Sequence, residues 1–261
     1  MSNSDAQVVQ TRDGAVVTLT LNRPDKRNAM TLRMLEELQR AVDDVAGDDS
    51  VRALIVAGAG KAFCAGLDLK DLGTTSGEDG MVELPEIEGS LHALEELPIP
   101  TIAMMQGEAI AGGLELALHC DLRVAGEDAR MGMPLARLGL VVPYPLTQKL
   151  LDTVGTVKTK HMLFTGKILD AAHALEFGLV TQVVPNADLA DTTRKLAADI
   201  ARNAPLSLRA MKAAIIEANG FRSRTSSRET IDLAKAAARS SDVREGLRAV
   251  FEKRRAKFEG R

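Results

Sequence analysis

The sequence contains no tryptophan and a single tyrosine, Tyr144, in 261 residues. Proteins that bind single-stranded nucleic acids commonly stack bases on aromatic side chains, so this composition argues against such a role. Lysine and arginine form no long basic run, and the formal net charge is -3. Binding to nucleic acid through a basic face is therefore not expected. Any anionic ligand must be held by a local cluster of cations.

Cysteine is also scarce, since Cys64 and Cys120 are the only two. They are too few for a disulfide framework, and the first ten residues lack the apolar core of a signal peptide. No apolar run reaches the length of about 18 residues that suggests a membrane span. These absences predict a cytoplasmic protein that does not bind membranes. No metal site is expected either, because the histidines show no ligand spacing.

The most informative stretch runs from Thr101 to Pro134. Its first residues, Thr101 to Met105, predict a short strand, and the paired glycines Gly112 and Gly113 open a helical run. The first N–H groups of a helix have no intrahelical acceptor, and glycine lets a ligand oxygen approach them closely. This pattern is typical of a site that stabilises an oxyanion, although paired glycines at a helix start also serve close packing.

One carboxylate, Glu115, lies inside this apolar helical run. If the helix is buried, desolvation raises the pKa of Glu115 and suits it to proton transfer near neutral pH. The alternative is a side-chain pair with His119, which follows four residues later on the same helix face. The residues alone leave both interpretations open.

A second strand followed by a glycine loop precedes this stretch. The run from Val51 to Ala57 predicts a strand, Gly58 and Gly60 follow it, and Asp68 and Lys70 are predicted in the first turn of a helix. Two turns of the same kind can present two backbone donors to a single carbonyl oxygen. The pattern therefore favours acyl chemistry.

The remaining chain alternates predicted strands and helices. Gly14 to Leu21 predicts a strand, and Thr31 is expected to cap a helix that runs to Val45. The loop between them carries three cations that are either solvated or phosphate-facing: Arg23, Lys26 and Arg27. From Leu146 onward the pattern is mainly helical, with Asp170 and Asp188 as caps and with Ser241 or Asp242 capping the last helix.

Five stretches match one family pattern in order, and they span nearly the whole chain: LNRPDKRNAM, AFCAGLDLKDL, GEAIAGGLELALHCDLRVA, LFTGKILDAAHALEFGLVTQVVP and GLRAVFEKRRAKF. On these motifs the chain resembles the crotonase, or enoyl-CoA hydratase/isomerase, superfamily. The resemblance implies an α/β fold, with a crotonase-like spiral of β-β-α turns and the thioester site in residues 1–200. It further implies a C-terminal helical trimerisation region in residues 201–261, and a homotrimer or dimer of trimers.

The resemblance also implies the ligand and the site. The substrate would be an acyl-CoA thioester, with coenzyme A as part of the substrate and no separate cofactor. The N–H groups of Leu67 and Gly112 would hold the thioester oxygen, and Glu115 would be the acid/base. Coenzyme contacts are implied at several positions, the last two across a subunit boundary: Lys26, Arg27, Ala29, Ala65, Leu67, Asp68, Leu69, Lys70, Phe251 and Lys253.

Two positions depart from the hydratases of this family. Leu135 stands where they typically have a second glutamate, and Tyr144 lies in a Pro-Tyr-Pro sequence that is similar to some decarboxylating members. The favoured activity is hydration, dehydration or a double-bond shift that uses Glu115. The alternatives are decarboxylation of a malonyl-type CoA ester, with the hydroxyl of Tyr144 holding the carboxylate, and acyl-CoA binding without turnover. Tyr144 could equally be a core or interface ring.

Overall fold

A computed structural model describes residues 5–68, 88–220 and 228–258. Its strands are β1 (Val8–Asp13), β2 (Val16–Leu21), β3 (Ala53–Gly58), β4 (Thr101–Met105), β5 (Glu108–Ile110), β6 (Leu122–Gly126), β7 (Arg130–Gly132), β8 (Leu169–Asp170) and β9 (Gln182–Val184). Its helices are α1 (Leu32–Ala46), α2 (Glu88–Glu96), α3 (Gly112–Leu118), α4 (Tyr144–Thr165), α5 (Ala171–Phe177), α6 (Leu189–Ala201), α7 (Pro205–Gly220), α8 (Arg228–Arg239) and α9 (Ser241–Phe251). The predicted α/β class is confirmed.

The strands form two sheets. The larger one has the order β1-β2-β3-β4-β6-β9, and the smaller one has the order β5-β7-β8. In the larger sheet only β1 and β2 pair antiparallel, and the other neighbours are parallel. All six residues of β3 are buried, as expected for a central strand of a parallel sheet covered on both faces.

Helices cover both faces of the larger sheet. Ala53, Ile55 and Ile102 face α6 in one apolar cluster, while Leu54 and Ala103 belong to the main cluster that includes α1, α2 and α3. Successive strand residues therefore point to opposite layers, as their period of two requires. Among the described helices, none is both long and apolar enough to span a membrane.

Two predicted helix starts are confirmed in atomic detail. Thr31 precedes α1, and its side-chain oxygen accepts a hydrogen bond from the Met34 N–H at 3.1 Å. Asp170 caps α5 in the same way, accepting from the His173 N–H at 2.9 Å. Each side chain satisfies one of the N–H groups that a helix start leaves free.

Three other predicted starts are wrong or incomplete. Asp188 precedes α6 without a capping hydrogen bond, because a short 3-10 turn enters that helix. The residue before α9 is Ser240 rather than Ser241 or Asp242. Asp68 is not helical, since its N–H bonds the Met30 carbonyl in an extended segment. The predicted continuation of this helix to Lys70, and the implied coenzyme contacts Leu69 and Lys70, lie outside the described residues.

The C-terminal helices α7 and α9 both contact the rest of the described chain. On α7, the buried Lys212 places its Nζ 2.8 Å from Asp121, which follows α3. Further along, α9 packs on the 3-10 turn Leu135–Leu138. The second contact is close, because a Cβ on Gly246 would lie 2.4 Å from the carbonyl oxygen of Leu138. The turn that carries Leu135 is therefore held between the core and α9.

Candidate active site

The two glycine loops leave the sheet side by side. Strands β3 and β4 are parallel neighbours with Ala57 paired to Met104, so both chains emerge at the same edge. They stay paired beyond the sheet, because the Cys64 N–H donates to Glu108 O at 2.9 Å and the Ile110 N–H donates to Cys64 O at 3.0 Å. The loop after β3 is thus aligned with the segment that enters α3.

This alignment brings Gly66 against the start of α3. Gly66 has φ +100, and a Cβ there would lie 2.9 Å from Ile110 O and 3.5 Å from the Gly112 nitrogen. A Cβ on Gly112 would lie 3.6 Å from the Leu67 nitrogen. Among the described residues, neither the Leu67 N–H nor the Gly112 N–H has an acceptor. Two neighbouring main-chain donors are therefore available to a ligand oxygen.

Ala111 fixes the direction of one of these donors. Its backbone has φ 49 and ψ -119, a conformation that non-glycine residues rarely adopt. The conformation is held from both sides, since the Ala111 N–H donates to Gly132 O at 2.9 Å and Ala111 O accepts from the Glu115 N–H at 3.0 Å. Rotation about ψ of Ala111 turns the next peptide unit, so this strained residue orients the Gly112 N–H.

Glu115 lies one helical turn after Gly112 and is only 5% exposed. The pairing predicted as its alternative takes a different form, because His119 Nδ1 lies 2.9 Å from the Glu115 main-chain oxygen. The carbonyl can only accept, so the ring nitrogen donates. Glu115 is therefore buried on the same short helix whose first residue carries the Gly112 N–H.

Glu115 also lines a cavity of about 690 Å³ between α2, α3 and α4. Polar side chains form much of its wall among the described residues: Glu95, Glu115, His119, Gln148, Lys149 and Asp152. Burial and the nearby Lys149 ammonium lower the pKa of His119 to about 4, so the imidazole is neutral at pH 7. The cavity is large enough for a small organic group, and charged or polar side chains and apolar ones both contribute to its described lining.

Sequence reasoning missed the polar wall of this cavity. Lys149 Nζ lies 2.8 Å from Glu95 Oε1, and His119 Nε2 lies 3.9 Å from Glu95 Oε2. Glu95 lies on α2, Lys149 lies on α4 and His119 directly follows α3, and each one alone resembles an ordinary surface residue. They come together only in the folded chain, where the Glu95–Lys149 ion pair links α2 to α4.

The predicted cations do not form one patch. Arg23 is half-buried and places its Nη2 3.0 Å from the Asp68 carboxylate, while its Nη1 donates to Ala29 O at 2.5 Å. Lys26 is exposed. Arg27 lies 2.8 Å from Glu108 and lines, with Ala65, a second cavity of about 430 Å³. The structure thus places Arg27 beside Ala65 and ties Arg23 to Asp68.

Asn28 connects this loop to the first glycine loop and was not singled out from the sequence. It is fully buried, and its Nδ2 donates to Ala59 O at 2.9 Å and to Ala62 O at 2.7 Å. Its Oδ1 accepts from the Arg23 N–H at 2.9 Å. Asn28 also has φ 54, a left-handed conformation that asparagine tolerates better than most residues.

The other predicted positions lie further apart. Phe251, at the end of α9, is 62% exposed, and Lys253 is exposed just beyond it. Tyr144 begins α4 and is half-buried, and it does not line the 690 Å³ cavity as the described residues define it. Leu135 packs on the main apolar cluster. The turn Leu135–Leu138 contains no acidic residue, so no second carboxylate comes from this position.

Cysteine and metal chemistry have no further support. Burial raises the pKa of both Cys64 and Cys120 to about 12, so both thiols are neutral at pH 7. In the described parts of the chain, no three His, Cys, Asp or Glu side chains form a group that could hold a metal ion. Cys64 is completely buried, so it fills space in the core as a small apolar side chain would.

A layered α/β fold in which two neighbouring main-chain donors lack an acceptor among the described residues defines a class of site suited to oxyanion chemistry. The chain belongs to the enoyl-CoA hydratase/isomerase family, within the crotonase superfamily, because the family profile matches residues 11–261. The expected family is confirmed.

Individual relatives match over nearly the full length. YngF of Bacillus subtilis, whose name places it among the enoyl-CoA hydratases/isomerases, is 36% identical over 98% of this chain and 99% of its own. The 2,3-dehydroadipyl-CoA hydratase of Escherichia coli is 33% identical over 98% of this chain and 100% of its own. A methylmalonyl-CoA decarboxylase complexed with 2S-carboxypropyl-CoA superposes with a TM-score of 0.89 at 25% identity, covering 100% of both chains.

Proposed function

We propose that this protein is an enzyme that acts on an acyl-CoA thioester through an enolate. The N–H groups of Leu67 and Gly112 bind the thioester oxygen, and Glu115 moves the proton at the neighbouring carbon. The observation that carries the proposal is the position of Glu115, buried one helical turn after one of two adjacent donors that lack an acceptor among the described residues. Family membership supports the choice of ester.

Two N–H donors that bind one oxygen form an oxyanion hole. Such a hole stabilises the negative charge that develops on the thioester oxygen during the reaction. When a bond at the carbon next to the thioester breaks, its electron pair moves onto the thioester oxygen. Two donors that already point at that oxygen require no reorganisation at that moment, and each is worth about 10²- to 10³-fold in kcat. Burial of Glu115 limits its contact with bulk solvent, so the proton it takes up is retained until it is delivered to the substrate carbon.

One carboxylate is sufficient for the favoured reactions. In hydration, Glu115 takes a proton from water, the hydroxide bonds the β-carbon, and the same proton then bonds the α-carbon. In a double-bond shift, Glu115 takes the α-proton and delivers it to the γ-carbon. Both routes return Glu115 to its starting state. Leu135 supplies no proton, so we propose hydration, dehydration or a double-bond shift that uses Glu115 alone.

Coenzyme A is bound as part of the substrate in this proposal. The segment around Ala65, with Leu67 and Asp68, faces the coenzyme, and Arg27 and Lys26 meet its phosphates. The cavity that Arg27 shares with Ala65 also contains Arg130, which supports an anionic ligand there. Arg27 would exchange its Glu108 contact for a phosphate contact, and both side chains are exposed enough to move.

The C-terminal region is proposed to build the oligomer. Residues 201–261 would form a trimer interface, and Phe251 and Lys253 would reach a neighbouring coenzyme site. Large apolar side chains on this region are exposed in the single chain: Leu206, Met211, Ile215, Ile231, Val250 and Phe251. Association would remove them from water. Analytical ultracentrifugation of the wild type and of Phe251→Ser tests this, and a monomeric wild type at micromolar concentration would contradict it.

Glu115→Gln tests the proposed chemistry. The amide keeps the shape of the side chain but cannot accept the proton, so turnover should fall at least about 100-fold. Affinity for CoA esters, measured by calorimetry, should change little. The assays are loss of absorbance from crotonyl-CoA and conversion of a 3-enoyl-CoA. Glu36→Gln, on the exposed side of α1, is the matched control and should retain full activity. Unchanged turnover in Glu115→Gln would remove this residue from the mechanism.

A second candidate is decarboxylation of a malonyl-type CoA ester. It is favoured by the close superposition on the methylmalonyl-CoA decarboxylase structure together with Leu135 at the second-glutamate position. The bond from the α-carbon to the carboxylate would break, carbon dioxide would leave, and the resulting enolate would use the same hole. Tyr144 would hold the carboxylate. The wild type is expected to release carbon dioxide from methylmalonyl-CoA, and Tyr144→Phe should release it more slowly. Tight binding of esters without turnover of any of them would instead indicate a binding protein.

A further inference from the structure

The Leu67 N–H of the candidate oxyanion hole belongs to a peptide unit that is hydrogen-bonded on its other side. A trans peptide points its C=O and its N–H in opposite directions, so the Gly66 carbonyl and the Leu67 N–H face opposite ways. The Gly66 oxygen accepts from the Met30 N–H at 2.8 Å. This bond therefore turns the Leu67 N–H away from Met30. On that side lies the start of α3, because a Cβ on Gly112 would be 3.6 Å from the Leu67 nitrogen.

Gly66 cannot hold this direction by itself. It has φ +100, and glycine rotates about its backbone bonds more freely than any other residue. The restraint comes from a parallel bridge between Met30 and Leu67, in which the Asp68 N–H also donates to Met30 O at 2.8 Å. The direction of the Leu67 N–H thus depends on the position of the segment that carries Met30.

Arg23 donates to the peptide unit that carries the Met30 N–H. Its Nη1 lies 2.5 Å from the carbonyl oxygen of Ala29, and this carbonyl and the Met30 N–H belong to one peptide unit. Its Nη2 lies 3.0 Å from the Asp68 carboxylate on the other segment of the bridge. The Arg23 side chain is 20% exposed, and its own N–H donates to Asn28 Oδ1 at 2.9 Å. The guanidinium is therefore held against both segments of the bridge.

These contacts form one continuous chain of hydrogen bonds that starts at the guanidinium. Arg23 donates to the Ala29 carbonyl. The Met30 N–H of that same peptide unit donates to the Gly66 carbonyl, whose peptide unit ends in the Leu67 N–H. Hydrogen bonds in series polarise one another, and a charged donor strengthens the first of them. Since a guanidinium is not deprotonated in proteins, a permanent positive charge stands at the head of the chain.

We infer that Arg23 is a positioning residue for the oxyanion hole, which orients and polarises the Leu67 N–H through the two intervening peptide units. The inference rests on the proposed function, because it takes the Leu67 N–H to bind the thioester oxygen. It gives Arg23 a role other than contact with coenzyme phosphates. Loss of this side chain should therefore weaken the hole even though the side chain itself does not contact the thioester.

The carbonyl stretching frequency of a bound thioester measures the strength of the hole. Butyryl-CoA, isotopically labelled at the carbonyl carbon, is saturated and binds without turnover, and hydrogen bonds from the hole lower this frequency in difference infrared spectra. Arg23→Met should lose about a quarter of the lowering, because cooperative strengthening is about 10–30% per bond and two bonds separate the guanidinium from the Leu67 peptide unit. With crotonyl-CoA, kcat should fall about 3- to 6-fold, a quarter of the effect of one donor on a logarithmic scale, and KM should change less.

Three further variants separate the charge of Arg23 from its contribution to folding. Arg23→Gln also removes the charge, and it carries the test if the methionine variant does not fold. Arg23→Lys keeps a positive donor and should recover part of both the frequency shift and kcat. Arg12→Met is the matched control on β1, because Arg12 likewise bridges a carboxylate and a carbonyl, with Nη1 2.7 Å from Asp48 and Nε 2.8 Å from Gly14 O. It should keep the wild-type frequency and kcat.

A wild-type carbonyl frequency in a folded neutral variant of Arg23 would overturn the inference. An equal loss in Arg12→Met, or a lysine variant that behaves like the neutral ones, would also overturn it. Failure of the proposed function gives a different result. If the wild type does not lower the frequency at all, the hole itself is wrong. If the wild type lowers it and Glu115→Gln loses turnover while the Arg23 variants match the wild type, only the role of Arg23 is wrong.

Discussion

Replacing Gly113 by alanine is expected to move apart the two main-chain segments that carry the Leu67 and Gly112 N–H groups of the candidate oxyanion hole. A Cβ on Gly113 would lie 2.1 Å from Cys64 O and 2.7 Å from Cys64 C. Contacts below 3.0 Å are essentially never seen for a real Cβ, and the neighbour here is backbone, which cannot rotate away. Helix α3 and the Cys64 segment must therefore move apart by about 1 Å, an overpacking that costs about 1–3 kcal/mol.

The displacement affects chemistry because α3 begins with the Gly112 donor and the Cys64 segment leads to the Leu67 donor. Useful donors lie about 2.7–3.1 Å from the oxyanion, so a shift of about 1 Å removes one of them, and kcat should fall about 100-fold. The Ile110 N–H, which donates to the same Cys64 carbonyl at 3.0 Å, should also become more exchangeable.

The assay is steady-state turnover of the acyl-CoA ester that the wild type converts fastest, with thermal unfolding measured on the same samples. Gly47→Ala is the control, since a Cβ there meets only Asp43 O at 3.6 Å and Asp44 O at 3.7 Å. That variant should keep both activity and Tm. A folded Gly113→Ala protein with wild-type kcat would refute the idea that close contact of the two segments sets the hole.

Two further predictions concern stability. Ala111→Gly should raise the free energy of unfolding by about 1 kcal/mol, because glycine adopts φ 49 without the strain that alanine bears; a lower Tm would show that the Ala111 methyl group matters more than its backbone. Unfolded His119 takes up a proton near pH 6.5, whereas folded His119 does so near pH 4. The free energy of unfolding should therefore keep its full value above pH 6.5 and fall by roughly 2–3 kcal/mol as the pH drops towards 4. In His119→Gln this loss should shrink, and an unchanged pH dependence of Tm would contradict the assignment.

The fold was predictable where a local signal was strong. The Thr31 cap, the spacing of buried residues along α1 and the strand Thr101–Met105 all follow from short patterns. The mainly helical pattern predicted from Leu146 onward is also present, although Gly155 interrupts α4 with φ 76. Strands β1 and β5 were missed for physical reasons. β1 is an edge strand with four exposed residues, and β5 has only three residues, so neither shows a clear apolar alternation.

The site was predictable only in part. Burial of Glu115 and the placement of Gly112 at the start of α3 follow from the helical run itself. The pairing of Arg23 with Asp68 and the polar wall formed by Glu95 and Lys149 do not, because their partners are distant in sequence and depend on how loops and helices pack. Patterns within one element reveal candidate groups, but contacts between elements decide which of them share a cavity.

The convergence of the two donors follows from sheet topology rather than from either glycine loop alone. Strands β3 and β4 are parallel and in register, so the loops that follow them leave one edge in the same direction. Had these strands been antiparallel, the loops would lie at opposite ends of the sheet and the donors could not meet. The bridge from Cys64 to Ala109 extends this register by several residues to Gly66 and Gly112. Substitutions that weaken the bridge should therefore impair the chemistry even though none of its atoms contacts the substrate.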